Sequence, residues 1–187
     1  MDYESALIAH YVKHWKTKPN IRKWSKGPMG TISEDFCILE FPPHKNLWKQ
    51  DYWKYSTCGM SDLSIIPAIE LHLFSYKQDE TLIELLTAIA YYHRISDARL
   101  NLHHTVNFGR PWENNSICIY GLISLPYVHG PSLEIFNFQE YQVKCYWLIP
   151  ITFNERNFKK EYGIELLEEK FEESKVDLLN PHRLSIV

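Results

Sequence analysis

The sequence predicts an α+β fold with a central mixed, largely antiparallel β-sheet flanked by helices, and three observations carry that prediction. Strand-like runs come in two groups rather than alternating one by one with helices, which disfavours a doubly wound parallel sheet. A strongly apolar helical segment lies between the two groups and needs cover on more than one face. Helical patterns also open and close the chain. At 187 residues, one domain burying roughly 70% of its extended surface is the natural expectation, and two full domains would be cramped. We therefore expect a single domain, with residues 1–30 as an N-terminal helix and loop and residues 31–187 as the core.

The elements follow in order. Leu7, Ile8, Tyr11, Val12 and Trp15 recur at helical spacing, with Glu4, His10, Lys13 and Lys16 between them, so one face of a first helix packs inward. Lys16 to Gly30 is basic and punctuated by Gly and Pro, and it reads as a surface loop or an interaction arm. Strands are expected at Phe36–Phe41, Tyr52–Cys58 and Ile69–Phe74, the last alternating around Glu70 and His72. Thr81 and Glu84 have capping-box spacing before the apolar helix Leu82 to Tyr92. Further strands are expected at Thr105–Phe108, Ser116–Leu125 and Val143–Ile149, with Pro150 stopping the last. Thr152 and Glu155 form a second capping-box match, Gly163 breaks or bends the helix it opens, and Leu166, Leu167 and Phe171 continue an apolar stripe over Ile164 to Ser174.

Composition narrows the function. The net charge of −3 with nine neutral His gives no field able to gather phosphates or anionic lipid, so nucleic acid and membrane are poor partners. The acidic start Met1-Asp2-Tyr3-Glu4-Ser5 is unlike a secretory leader, no apolar run reaches roughly 20 residues, and a cytoplasmic location is expected. Cys37, Cys58, Cys118 and Cys145 lack any C-x-x-C pair and sit in apolar runs, which marks them as reduced core residues.

Catalytic signatures are missing: the sequence holds no G-x-S-x-G elbow, phosphate loop, H-E-x-x-H or dinucleotide fingerprint, and no cofactor is expected. His93, His103 and His104, with His72 or His129, are the best metal candidates, yet adjacent His103 and His104 would point to opposite faces of a strand. Hydrogen-bonded or exposed imidazoles are the better reading. Cys118 or Ser124 with His104 or His129 would make a nucleophile pair, but burial in an apolar strand makes a thiol inert.

Asn101 to Trp112 differs in character. It concentrates hydrogen-bonding groups, the Arg110 guanidinium and aromatic rings in a short strand flanked by turns, a mixture enriched at binding hot spots. An edge strand with a Gly-Arg-Pro turn and Trp112 tucked onto the core is the equal alternative.

Several segments taken together resemble the Suppressor of fused domain family: Glu70-Leu71-His72-Leu73, Leu82 to Leu86, His104-Thr105-Val106 with Gly109-Arg110-Pro111 and Ser116, Leu122 to Pro126, Trp147 to Thr152 with Glu155, and Asp177 to Arg183. The resemblance runs from about Ile32 to the C-terminus, and the apolar-Ile-Pro-Ile-Thr-x-x-Glu segment is its most specific piece. It implies a non-enzymatic protein-binding domain. Animal members hold a transcription factor by clamping an extended peptide through strand addition between two domains, whereas stand-alone bacterial copies are associated with polymorphic toxin systems as immunity proteins. This chain resembles the stand-alone form, so a toxin domain or an extended peptide is the expected partner. Tyr92 looks like the family's groove tyrosine, and His104 falls where the animal protein has an acidic residue. Tyr92, His104, Asn107, Arg110 and Trp112 are accordingly the candidate contact residues. The alternatives are a hydrolase using His104 with a carboxylate in the same groove, or a regulatory adaptor.

Overall fold

A computed structural model describes residues 1–24, 32, 34–44, 51–61, 63, 66–95 and 99–187. The fold is α+β, and among the described strand registers five pairs are antiparallel and one is parallel. The chain forms two compact units. Unit 1 is Met1–Leu102 with Leu125–Trp147, and unit 2 is His103–Ser124 with Leu148–Val187.

Unit 1 opens with α1 (Tyr3–Trp15), capped where Asp2 accepts from the Ser5 amide at 2.8 Å. Leu7, Tyr11 and Trp15, one turn apart, form its buried stripe. β1 (Asn20–Arg22), β2 (Cys37–Phe41), β3 (Trp53–Cys58) and β4 (Ile69–Ser75) pair antiparallel in sequence order. β4 then runs parallel to the first part of β8 (Tyr141–Thr152), with His72 opposite Trp147. A short α3 (Pro131–Glu134) leads into β7 (Ile135–Phe138), which pairs antiparallel with β8. α2 (Glu80–Ile95) packs on β2 and β3. Every residue of β2 and β4 is buried, so both strands are covered on both faces and the polar alternation expected around Glu70 and His72 does not reach solvent.

Burying Glu70 works because four neutral donors surround it. The Thr57 hydroxyl lies at 2.5 Å, the Tyr3 hydroxyl at 2.7 Å, and the Gly59 and Met60 amides at 2.8 and 3.2 Å. Desolvation nevertheless outweighs these bonds and raises its pKa. His93 is equally buried and equally occupied: Nδ1 accepts from the Leu100 amide at 3.1 Å and Nε2 lies 3.3 Å from the Ser61 hydroxyl.

Unit 2 holds β5 (Thr105–Asn107), β6 (Cys118–Ser124), the end of β8, α4 (Phe153–Tyr162) and α5 (Ile164–Ser174). Thr152 and Glu155 form the capping box that the sequence predicts, with the Thr152 amide 2.9 Å from Glu155 Oε2 and the Glu155 amide 3.2 Å from Thr152 Oγ1. The same carboxylate receives both guanidinium nitrogens of Arg183, at 2.5 and 2.8 Å, and Arg183 Nη2 also reaches the Pro150 carbonyl at 3.0 Å. One buried ion pair thereby ties the C-terminal tail to the start of α4 and the end of β8. Gly163 separates the two helices at φ +96°, a value that favours glycine.

Several expectations need correction. Asp79, not Thr81, begins α2, because its carboxylate accepts from the Thr81 amide at 2.9 Å and from the Thr81 hydroxyl at 2.8 Å, so the Thr81–Glu84 box is not formed. β8 runs through Pro150 to Thr152 instead of stopping, the proline carbonyl having Arg183 as its partner. The expected loop Lys16–Gly30 contains β1, and its residues 25–30 lie outside the described residues. β7 and α3 have no counterpart in the sequence reading. Leu166 is 42% exposed, so Leu167 and Phe171 alone carry the buried stripe of α5.

Candidate functional site

β5 is one of the two end strands of the described sheet, β1 being the other, and its described pairing is with β6: Thr105 opposite Leu122, Val106 opposite Gly121 and Asn107 opposite Tyr120. Its start is a bulge. His103 and His104 together face Ile123, whose carbonyl accepts from the His103 amide at 2.8 Å and whose amide donates to the His104 carbonyl at 2.9 Å. His103 adopts φ +64°, a left-handed conformation that costs a non-glycine residue about 1 kcal/mol or more. Lys159 from α4 donates to the His103 carbonyl and holds the bulge in place. The ladder resumes with the Phe108 amide bonded to the Ile119 carbonyl at 3.2 Å.

In an antiparallel ladder, residues that exchange hydrogen bonds alternate with residues that do not. His104 and Phe108 bond to β6, and so by alternation does Val106; the main-chain groups of Thr105 and Asn107 therefore face the open side of the strand. Among the described residues neither makes a further backbone hydrogen bond. The edge is short and rimmed by polar side chains, which is how proteins keep an unpaired edge from promiscuous pairing.

The surrounding packing makes this edge firm. A Cβ on Gly121 would meet Phe108 Cζ at 2.6 Å and Leu148 Cδ1 at 2.7 Å, so only glycine lets the Phe108 ring cross β6. Sequence reading passed over Gly121, although an isolated glycine inside a strand pattern is the signal for such a close approach. Asn107 Oδ1 accepts from the Gly109 amide at 2.9 Å, which turns the chain out of the strand, and Gly109 sits at φ +68°. Ser116 donates to the Pro181 carbonyl and accepts from the Cys118 amide at 3.0 Å, while Glu113 lies 3.3 Å from His182 Nε2. The turn after β5 is thus sewn to the C-terminal tail.

The candidate residues separate on this scaffold. His104 and Asn107 are exposed and Arg110 is half-buried, all three on the edge strand or its turn. Trp112 is 1% exposed, with its ring 5.4 Å from that of Phe108 and its amide 2.8 Å from the Cys118 carbonyl. It is a core residue of unit 2 and offers no free contact surface, which resolves the two readings of this segment in favour of the tucked tryptophan. Tyr92 is 44% exposed at the last turns of α2, in unit 1.

Charge at the edge is basic. Lys159 has its pKa lowered by desolvation and by the adjacent Lys160 and Arg156, and Arg156 lies over the Tyr120 ring at 5.3 Å. Cys118 and Ser124 are buried, and desolvation raises the Cys118 thiol pKa. No group of three or more metal-ligating side chains converges among the described residues.

The described residues thus form an α+β protein with an open, polar-rimmed strand edge at β5. The chain belongs to the Suppressor of fused family, whose model, "Suppressor of fused protein (SUFU)", matches residues 34–184. A Suppressor of fused homologue from Neisseria gonorrhoeae is 31% identical, with a TM-score of 0.85 over 100% of this chain and 98% of that one. The Sufu protein of a Sufu–Fu complex shares the fold at 14% identity and a TM-score of 0.70, over 97% of this chain and 91% of that one. Drosophila Suppressor of fused is likewise 14% identical with a TM-score of 0.70, over 98% of this chain but 51% of that one. No curated protein matches the sequence. No helix among the described residues is long and apolar enough to cross a membrane.

Proposed function

We propose that this protein is a non-enzymatic binding domain that captures an extended segment of a partner protein by strand addition on β5. The single observation that carries the reading is the open main-chain edge of Thr105 and Asn107 on a strand whose other side is fixed. Added main-chain hydrogen bonds supply affinity, and His104, Asn107 and Arg110 supply selectivity. The basic character given by Arg110, Arg156 and Lys159 favours a partner segment bearing carboxylates. Tyr92 serves as a separate contact on unit 1, and the two units serve one binding domain.

We further propose that the partner is a toxin domain and that the chain is an immunity protein acting in the cytoplasm. The bacterial source of the 31%-identical homologue supports this. A Sufu–Fu complex shows that one relative of this fold is held in a protein assembly.

Thr105→Pro is the direct test. It deletes an amide that faces outward and leaves the β5–β6 ladder its bonds, so the fold survives. The wild type should recover a toxin-like partner encoded beside it and protect cells producing that partner. The proline variant should do neither, whereas unimpaired protection by Thr105→Pro would remove strand addition from the account.

A further inference from the structure

The interior of unit 1 contains polar atoms that its hydrogen bonding leaves over. His72 is 0% exposed, and neither of its ring nitrogens has a hydrogen-bond partner among the described residues. Trp15 and Trp147 are each 3% exposed, and both indole N–H groups are likewise without an acceptor. These side chains are neighbours. His72 and Trp147 are register partners on the parallel strands β4 and β8, which sets their side chains on the same face. The Trp15 ring comes down from α1 to 5.8 Å from His72. Tyr11 at 6.1 Å and Phe74 at 5.5 Å complete an aromatic wall around the imidazole, and Phe74 continues it to Trp147 at 5.4 Å.

Such groups are not left idle in a folded interior. A buried donor or acceptor without a partner carries its full desolvation cost, and four together weigh heavily against the small net stability of a folded domain. A neutral imidazole offers one donor and one acceptor, and the two indoles add two donors. The set therefore calls for a guest that mainly accepts hydrogen bonds and donates at most one or two. A metal cation does not fit, because indole N–H groups cannot ligate it and no three ligating side chains converge among the described residues. An anion does not fit either, since burial lowers the His72 pKa well below its ordinary value and leaves the ring a neutral partner.

We propose that His72, Trp15 and Trp147 line an internal binding site for a neutral oxygen ligand, either ordered water or the hydroxyl or carbonyl group of a small planar solute. Water satisfies these atoms by bridging them, as buried water does with about three bonds each. A small solute would add edge contacts with the surrounding rings, Tyr11 and Trp15 being already stacked on each other at 4.4 Å. The site lies in unit 1 and is independent of the β5 edge, so either proposal stands if the other fails.

The test is a crystal structure of the wild-type protein at a resolution that shows ordered solvent, combined with native mass spectrometry. Density bonded to a His72 nitrogen and to at least one of the two indole nitrogens is expected. A mass equal to that of the chain alone then assigns water, and a stoichiometric increment assigns an organic guest. His72 nitrogens bonded directly to protein atoms, with the indoles turned onto protein acceptors, would overturn the proposal. His72→Phe gives a second readout in solution. Removing the ring that anchors the guest strands the two indole donors, so the thermal midpoint should fall by about 2–4 °C for each kcal/mol lost. An unchanged or higher midpoint would mean that the imidazole was paying an unmet cost with no guest, which contradicts the site.

Discussion

Glu70 in unit 1 and Glu155 in unit 2 are both 0% exposed, and the two carboxylates are satisfied in opposite ways. Glu70 in unit 1 is surrounded by neutral donors, two hydroxyls and two amides. Glu155 in unit 2 is held by a bidentate guanidinium from Arg183, 28 positions along at the tail of the chain, in addition to its own cap amide. A neutral cradle tolerates either protonation state and keeps a local turn between β3 and β4 in shape. A charged clamp works only while both partners are present, and it makes the tail part of the fold that positions the β5 turn.

Breaking the clamp should have the largest effect. Arg183→Ala leaves Glu155 charged and unpaired in the interior and should cost about 3–5 kcal/mol, read as a large drop in the denaturation midpoint. Glu70→Gln should cost less, about 1–3 kcal/mol, because the amide retains one acceptor for a neutral donor set. The pH dependence sharpens the contrast. The folded-state pKa of Glu70 is raised, so its contribution is full at low pH and is lost as pH rises from 4.5 toward the folded value. The gap between wild type and Glu70→Gln should therefore narrow as pH increases through that window, and a gap that widens would show that the cradle favours the charged form.

His93 titrates with the opposite sign. Burial, with Arg99 and Arg94 nearby, lowers it from 6.5 to about 4, so the unfolded chain binds the proton first. Its stabilising share is present above pH 6.5 and is lost as pH falls toward about 4. His93→Gln should flatten the stability profile in that range. The smallest stability effects belong to the edge: His104→Ala and Arg110→Ala should each stay within about 0.5 kcal/mol of wild type while weakening partner binding, and Arg110→Ala should also reduce the salt dependence of association. Trp112→Ala separates from this pair, since emptying its buried site should cost about 3–5 kcal/mol.

The comparison also explains what could be read from the chain beforehand. Thr152 and Glu155 were legible as a capping box because both partners are local, three residues apart. The role of Arg183 was not, since nothing in sequence spacing links positions 155 and 183. Thr81 and Glu84 carry the same spacing yet form no box, because Asp79 just upstream is a better cap and starts the helix earlier. β1 and β7 are three and four residues long, too short to show a period of two. At the candidate site, composition marks His104, Asn107 and Arg110, which the fold places on the edge strand or its turn, but the burial of Trp112 is a tertiary fact set by Phe108 and Cys118. Family resemblance located the segments correctly, and much of what it located, Glu70, Glu155 and Arg183, holds the fold together.

Amide hydrogen exchange at Thr105 and Asn107, measured on the isolated protein and again with the partner bound, tests the central claim most directly. The account predicts fast exchange at both positions in the free protein beside a protected Val106, and strong protection of both in the complex. Protection of Thr105 and Asn107 already present without a partner, or exchange that binding leaves unchanged, would contradict it.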